Sequence, residues 1–298
     1  MLIGVDWGGT KIEVAALDEA GATLARRRIP SPPDYPAAIA AVAELVRGVE
    51  AGTGRRGSVG VGIPGALSPA TGLVKNANSV WLNGRPLDRD LAAALDRPVR
   101  IENDANCLAV SEAVDGAGAG QALVWAVILG TGAGSGIALH GRALAGRHRI
   151  AGEWGHNPLP WPLDDERPGP DCYCGRRGCL ETWVSGTGFA ADHRRHTGRA
   201  LAAPEIMAAM RRGEAEAQAS YRRLVDRLGR GLAHVVNVLD PDVIVLGGGL
   251  SDVEELYADL RPAMTPHVFS DAFTTPVLRS RHGASSGVRG AAWLWREG

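Results

Sequence analysis

Long apolar runs are missing from this chain: the longest, residues 122–129, falls far short of the roughly 20 residues a helix needs to cross a bilayer. The start likewise lacks the basic segment, apolar stretch and small-residue cleavage site of a secretory leader. A soluble, cytoplasmic protein with no membrane partner is expected. Charge of one sign is also lacking, since 32 Lys and Arg face 33 Asp and Glu for a formal net charge of -1. That balance gives no global attraction for nucleic acid or anionic lipid, so partners should be small molecules. Cysteine is scarce, at four residues, which fits a reducing compartment. Two nucleotide signatures are present only in spelling. Residues 4–11 lack the Gly-Lys-Ser/Thr order of a P-loop, because Thr10 precedes Lys11. Gly60, Gly62 and Gly65 fit the dinucleotide spacing, but Pro64 and Pro69 with Gly72 read as a hairpin where that motif requires a helix.

What is there points to alternating strands and helices. A chain of 298 residues exceeds one comfortable core, so two lobes with a cleft between them are expected. Residues 2–6, 12–17 and 22–29 read as a strand meander, 58–63 and 99–102 as further strands, and 36–50, 87–95 and 104–114 as helices. A second strand, glycine turn and strand follows at 123–129, 130–136 and 137–140, as though the opening unit were duplicated. Residues 158–170 hold five prolines and read as a loop. Then come a long amphipathic helix at 217–239, a buried strand at 242–246, a helix capped by Ser251 and reaching 264, and a strand at 277–280. A last helix, 287–296, would return to the first lobe. The lobes are placed at 1–115, joined by 286–298, and at 116–285. The fold class is α/β, mixed sheets flanked by helices.

His156, Cys172, Cys174 and Cys179 lie within two dozen residues and make a Cys3His set. Zinc in a structural site takes four such ligands and keeps no position for water, so the metal would be scaffold. Disulfide pairing is the rival, although Cys172 and Cys174 are separated only by Tyr173. Cys107, in an apolar helical stretch, reads as a small buried hydrophobe without a role. Glu153 and Glu181 flank the metal set, which looks built to position carboxylates.

Three glycine turns offer close backbone N-H groups to phosphates: Gly8-Gly9-Thr10, Gly130-Thr131-Gly132 and Gly247-Gly248-Gly249. Each alone is also an ordinary tight turn. Thr10 and Thr131 add hydroxyl donors, Asp6 ends the first strand where it can hold Mg2+ or its waters, and Lys11 can screen phosphate charge. A nucleoside triphosphate site follows. Asp104 opens the helix at 104–114, where capping competes with catalysis; an ionised carboxylate at a helix start suits a base that accepts a hydroxyl proton during phosphoryl transfer. Asn78, Asn103, Glu153, His156 and Glu181 supply the polar partners a polyhydroxylated ligand needs.

Taken together, Asp6-Trp7-Gly8-Gly9-Thr10-Lys11, Gly62-Ile63-Pro64-Gly65, Asn103-Asp104-Ala105-Asn106, Gly130-Thr131-Gly132, Gly152-Glu153-Trp154-Gly155-His156, the cluster from Cys172 to Glu181 and Leu246-Gly247-Gly248-Gly249 resemble the ROK family of bacterial sugar kinases and repressors from end to end. Residues 75–84 and 283–295 look most like its fructokinase, or mannokinase, subgroup. The resemblance implies an actin-like ATPase (ribonuclease H-like) fold, ATP and Mg2+ as cofactors, a structural Zn2+ on His156, Cys172, Cys174 and Cys179, and phosphoryl transfer to a hexose, fructose first. It implies Asp104 as general base and Gly65, Asn78, Asn103, Glu153, His156 and Glu181 as sugar contacts. Asp6, Gly8, Gly9, Thr10, Lys11, Gly130, Thr131, Gly132, Gly248 and Gly249 would hold the nucleotide. A homodimer is implied only by this likeness. Trp7 and Ser135 depart from the common pattern, the latter with an expected effect on nucleotide affinity. Kinases for N-acetylglucosamine, glucose or mannose are the alternatives. A sugar-sensing repressor would need a helix-turn-helix ahead of the first strand, and none is expected.

Overall fold

In the computed structural model, which describes residues 1–296, the chain alternates strands and helices around two five-stranded sheets. The first is made from β1 (Leu2–Trp7), β2 (Lys11–Leu17), β3 (Thr23–Pro30), β4 (Ser58–Ile63) and β7 (Val99–Asn103), in the order β3-β2-β1-β4-β7. β1 and β2 pair antiparallel across the glycine turn, whereas β4 runs parallel to both β1 and β7. Between them, β5 (Ala66–Leu67) and β6 (Val74–Lys75) form the small hairpin that displaces any dinucleotide motif. The second sheet takes β8 (Leu123–Leu129), β9 (Ala133–Leu139), β10 (Arg142–Ala143), β11 (Val243–Gly247) and β12 (Val277–Arg279) in the order β10-β9-β8-β11-β12. Position for position this repeats the first sheet's order, with the opening hairpin at one side and later strands at the other.

Local chemistry explains most boundaries. α1 (Tyr35–Thr53) starts where Asp34 accepts the Ala37 N-H at 3.0 Å, and ends at Gly54 with φ of 66°. α2 (Leu87–Leu95) buries Leu87, Leu91 and Leu95, one apolar face at helical spacing. Val42, Val46 and Val49 of α1 join Ile3, Val5, Val14, Val59 and Val61 in the first core. The edge strand β3 carries Arg26, Arg27 and Arg28, charges that discourage edge pairing. Arg26 and Arg28 reach the fully buried Glu13 of β2, each at 2.5 Å. α3 (Asp104–Val114) and α9 (Ser286–Trp293) pack together, and α9 lies on β1 and β4 because Gly4 and Gly60 have no side chain: a Cβ at either would overlap the carbonyl of Val288 or Ala291. The return helix is therefore shorter than 287–296. Cys107 is buried beneath it, and burial pushes its thiol up.

The chain divides into two compact units: Met1–Val124 with Gly136–Gly152 and the segment from Arg281 onward, and Trp125–Ser135 with Glu153–Ser280. Relative to a single cut at residue 115 and a return from 286, residues 116–124, 136–152 and 281–285 also go with the first unit.

The second unit contains helices α4 (Glu181–Val184), α5 (Gly186–Thr197), α6 (Ala203–Arg211), α7 (Ala215–Leu239) and α8 (Glu255–Met264). The first three are not foreseen from the sequence: α4 is a single turn, and α5 has little apolar periodicity. Ser251 is not the cap of α8. It lies in a 3-10 turn, Gly249–Asp252, and its hydroxyl donates back to the Gly248 carbonyl at 2.6 Å, so the helix starts later, at Glu255. β9 begins at Ala133 and takes in Gly134, Ser135 and Gly136, which sequence had placed in the turn. Gly136 is needed there because a Cβ would overlap the Ala105 carbonyl, and buried Ser135 accepts the Trp125 indole N-H at 2.8 Å. The proline-rich loop is irregular apart from one 3-10 turn, Asp164–Glu166. Its Glu166 is gripped by Arg227 (2.7 Å) and Arg230 (2.8 Å) of α7, while Asp192 of α5 pairs with Arg227 and Arg223. Burial raises the Glu166 carboxyl, but bonds from Arg230, Arg227 and the Leu163 backbone outweigh it and hold it at about 2.

Candidate active site

In the first unit, the turn after β1 closes with the Gly8 N-H donating to the Lys11 carbonyl at 2.9 Å, leaving Gly9 and Thr10 exposed. A Cβ on Gly9 would meet the Ser79 hydroxyl at 2.9 Å, so the residue-free face is needed for close approach. Trp7 fills the core and packs against Trp81 with ring centroids 6.1 Å apart. Burial raises the Asp6 carboxyl above its usual range; Lys11 opposes, Glu13 adds to the rise and Arg28 opposes again. Lys11 also pairs with Glu13 at 3.7 Å, so its charge is shared between that acid and the turn.

At the start of α3 the cap position belongs to the residue before Asp104. Asn103 is the cap: its Oδ1 accepts from the Ala105 N-H (2.9 Å) and the Asn106 N-H (3.3 Å), and its Nδ2 donates to the Gly65 carbonyl (3.3 Å). Asp104 is the first helical residue, half-buried, with Oδ1 2.8 Å from the Ala105 N-H. A carboxylate there faces the positive end of the helix dipole. Gly65, at φ of +107°, could not carry a side chain without meeting the Lys75 carbonyl and the Ala77 N-H. Asn78 is exposed on the segment that follows β6.

In the second unit, the Gly130 N-H bonds the Gly132 carbonyl (2.9 Å), the Gly186 N-H bonds the Gly130 carbonyl (2.8 Å), and the Thr187 hydroxyl bonds the Thr131 carbonyl (2.7 Å). The start of α5 thus braces this glycine turn. Glu181, the first residue of α4, accepts the Ala133 N-H at 3.0 Å and lies where a Cβ on Gly132 would be. Glu181, expected as a sugar contact, supports the 130–132 glycine turn in the structure, a link no local signal announces. Gly248, at φ of +82°, brings the third turn against Leu129 and Gly130. A pocket of about 690 Å³ joins Gly130, Thr131 and Gly249 to apolar Leu129, Met207 and Leu250. Backbone donors at one end and an apolar wall at the other suit a phosphorylated ligand with a flat base.

The four expected metal ligands meet, with their donor atoms all within 4.8 Å of one another. Cys172 Sγ is 3.6 Å from His156 Nδ1, and Cys174 Sγ is 3.6 Å from Cys179 Sγ. Zinc-sulfur bonds of about 2.3 Å in a tetrahedron put sulfurs roughly 3.7 Å apart, so the donor set fits zinc. No disulfide joins the cysteines. Tight backbone returns, Cys172 N-H to the Arg176 carbonyl (2.8 Å) and Gly175 N-H to the Cys172 carbonyl (3.0 Å), shape the knuckle, with Gly175 at φ of +85°. The Arg176 backbone N-H lowers the Cys174 thiol, favouring a thiolate ligand. His156 ends a 3-10 turn, Trp154–His156, directly after exposed Glu153. With Nδ1 turned to the sulfurs, Nε2 lies 2.9 Å from the Tyr173 hydroxyl. Tyr173 was read only as a spacer between two cysteines, yet it occupies the nitrogen assigned to the sugar.

Known proteins similar in sequence and fold belong to one family. A family model described as "ROK family" matches residues 2–298. The N-acetyl-D-glucosamine kinase of Shigella boydii serotype 4 is 40% identical over 299 residues, 99% of each chain. A ROK hexokinase structure from Thermus thermophilus superposes with a TM-score of 0.87 at 33% identity, covering 98% of this chain and 97% of that one. A ROK family glucokinase from Streptomyces griseus, solved with glucose and AMPPNP, gives 0.81 at 30% identity, covering 100% and 99%. The fold is that of these actin-like ATPase sugar kinases.

Proposed function

The chain belongs to the ROK family and is a sugar kinase, and from that premise we propose that it transfers the terminal phosphoryl group of ATP to the C6 hydroxyl of N-acetyl-D-glucosamine in the cytoplasm. The sugar identity rests on the 40% identity to a kinase of that name. Fructose is the second reading, favoured by residues 75–84 and 283–295 alone.

The observation that carries the mechanism is the division of labour at the start of α3. Asn103 is the cap, and Asp104 holds the shared Ala105 N-H through Oδ1, which orients its carboxylate at the helix end. Asp104 would take the proton of the attacking hydroxyl as that oxygen bonds phosphorus. Gly65, Asn78, Asn103, Glu153 and Glu181 would hold the remaining sugar hydroxyls, and His156 would join them once the Tyr173 hydroxyl leaves its Nε2. The N-H groups of Gly9, Gly132, Gly248 and Gly249, in turns closed by the Gly8 and Gly130 N-H groups, with the Thr10 and Thr131 hydroxyls and Lys11, would bind phosphate oxygens; Asp6 would hold Mg2+ through its waters. ATP would supply the phosphoryl group and leave as ADP. For a loose transition state, positioning and charge neutralisation provide most of the acceleration. His156, Cys172, Cys174 and Cys179 would hold zinc as a scaffold that fixes the His156 ring and the start of α4. Incubating the protein with ATP and a panel of N-acetylglucosamine, N-acetylmannosamine, glucose, mannose and fructose, with NMR to locate the new phosphate, tests the reading. Fructose alone reacting would reverse the order of substrates, and silence across the panel would overturn the assignment.

A further inference from the structure

The first unit contains a second cavity, of about 830 Å³, on the α3 and α9 side of its sheet, away from the β1–β2 turn. Its lining brings together Arg100 of β7, Arg142 of β10 and Arg296 after α9, with His140 beside them and Glu102 as the one acid. The protein as a whole has a formal charge of -1, so this concentration of guanidinium groups is not a sample of its average surface. Glu102 does not neutralise them. It is buried and committed to other donors: its Oε1 accepts the Asn103 N-H (2.9 Å) and Asn106 Nδ2 (3.1 Å), and its Oε2 faces Arg149 (3.3 Å).

Arg100 and Arg296 are placed but not satisfied. Arg100 stacks over the Trp295 ring at 4.1 Å and gives one N-H to the Leu294 carbonyl, which fixes its plane and leaves most of its five donors for another acceptor. Arg296 lies over Trp293 at 5.6 Å. Among the described residues, none of Arg100, Arg142 and Arg296 has a carboxylate within ion-pair distance. Exposed arginine ordinarily stays in water, but three lining one concavity offer several planar guanidinium groups of the kind that phosphate oxygens accept in pairs. The volume suits a small metabolite.

We propose that this cavity is a binding site for a phosphorylated small metabolite of the sugar phosphate class, separate from the kinase site: Arg100, Arg142 and Arg296 hold the dianionic phosphate, and the apolar wall around Trp293 covers the body. The site stands whether or not the sugar named above is the right one.

Calorimetric titration of the full chain, saturated with a nonhydrolysable ATP analogue, with glucose 6-phosphate and separately with inorganic phosphate tests it. One event per chain is expected with both probes, tighter for glucose 6-phosphate. Either Arg142→Gln or Arg100→Gln should weaken it about tenfold, the scale of one charge-assisted bond. Thr131→Ala, which lies in the second unit's pocket, should leave it unchanged. The absence of binding at millimolar probe would overturn the site, as would binding that survives both arginine substitutions or disappears in Thr131→Ala.

Discussion

Asn103 offers a clean separation of folding from function. Its Oδ1 satisfies two of the N-H groups that an α-helix leaves without internal partners, those of Ala105 and Asn106, and its Nδ2 ties the helix start to the Gly65 carbonyl. Asn103→Ala removes all three bonds. Losing a polar cap costs about 0.5–2 kcal/mol. The Gly65 bond, at 3.3 Å and partly exposed, adds roughly 0.5 kcal/mol. A loss of about 1–2.5 kcal/mol is therefore expected. Asn103→Asp keeps an acceptor of equal capping strength and gains from the helix dipole, but loses the Nδ2 donor and sits between Glu102 and Asp104. Its stability should stay within about 1 kcal/mol of the parent. Urea unfolding of the three proteins, followed by far-ultraviolet circular dichroism, measures the difference. Steady-state kinetics on the same samples should show a raised hexose KM in both variants, because the amide donor is gone from each. If Asn103→Asp falls as far as Asn103→Ala, or if Asn103→Ala unfolds with the parent, Asn103 is not the cap and the division of labour between it and Asp104 fails.

Asp104→Asn should retain hexose binding and lose on the order of 10²-fold or more in turnover, and near-parental turnover would remove Asp104 as the base. Cys174→Ser opens one of four metal positions; lower thermal stability and a raised hexose KM are expected, and an unchanged KM in metal-free protein would reject the scaffold role. Glu181→Ala removes the acceptor of the Ala133 N-H beside Gly132, so KM for ATP should rise roughly tenfold or more along with that for the sugar, whereas an effect on the sugar alone would contradict the brace. Glu166 has its folded carboxyl held at about 2, below the ordinary 4.5, so its contribution is present above about 4.5 and lost as pH falls toward 2. Acid titration should show roughly 3 kcal/mol less pH-dependent stability in Glu166→Gln over that window, and parallel curves would refute the network.

The amino-acid sequence by itself determined whatever short-range rules decide. The bounds of β4, α2, α3 and β8 were readable to the residue, because an apolar period of two or of about 3.6, a cap and a flanking turn all lie within a few positions. The metal set was equally legible, since thiolate and imidazole at short spacing have few alternative uses and the four donors do converge. Tertiary structure decided what distance along the chain conceals. It assigned the cap to Asn103 in place of Asp104, put Glu181 under a glycine turn 48 positions earlier, aimed the Ser135 hydroxyl at Trp125, and set Tyr173 on the free nitrogen of His156. α5 and α6 formed without a periodic signature because they lean on the glycine turn and on α7, and packing outweighs propensity in short helices. Side chains with several possible partners acquire one only when the fold brings it near, which is why residue types were readable in advance and their pairings were not.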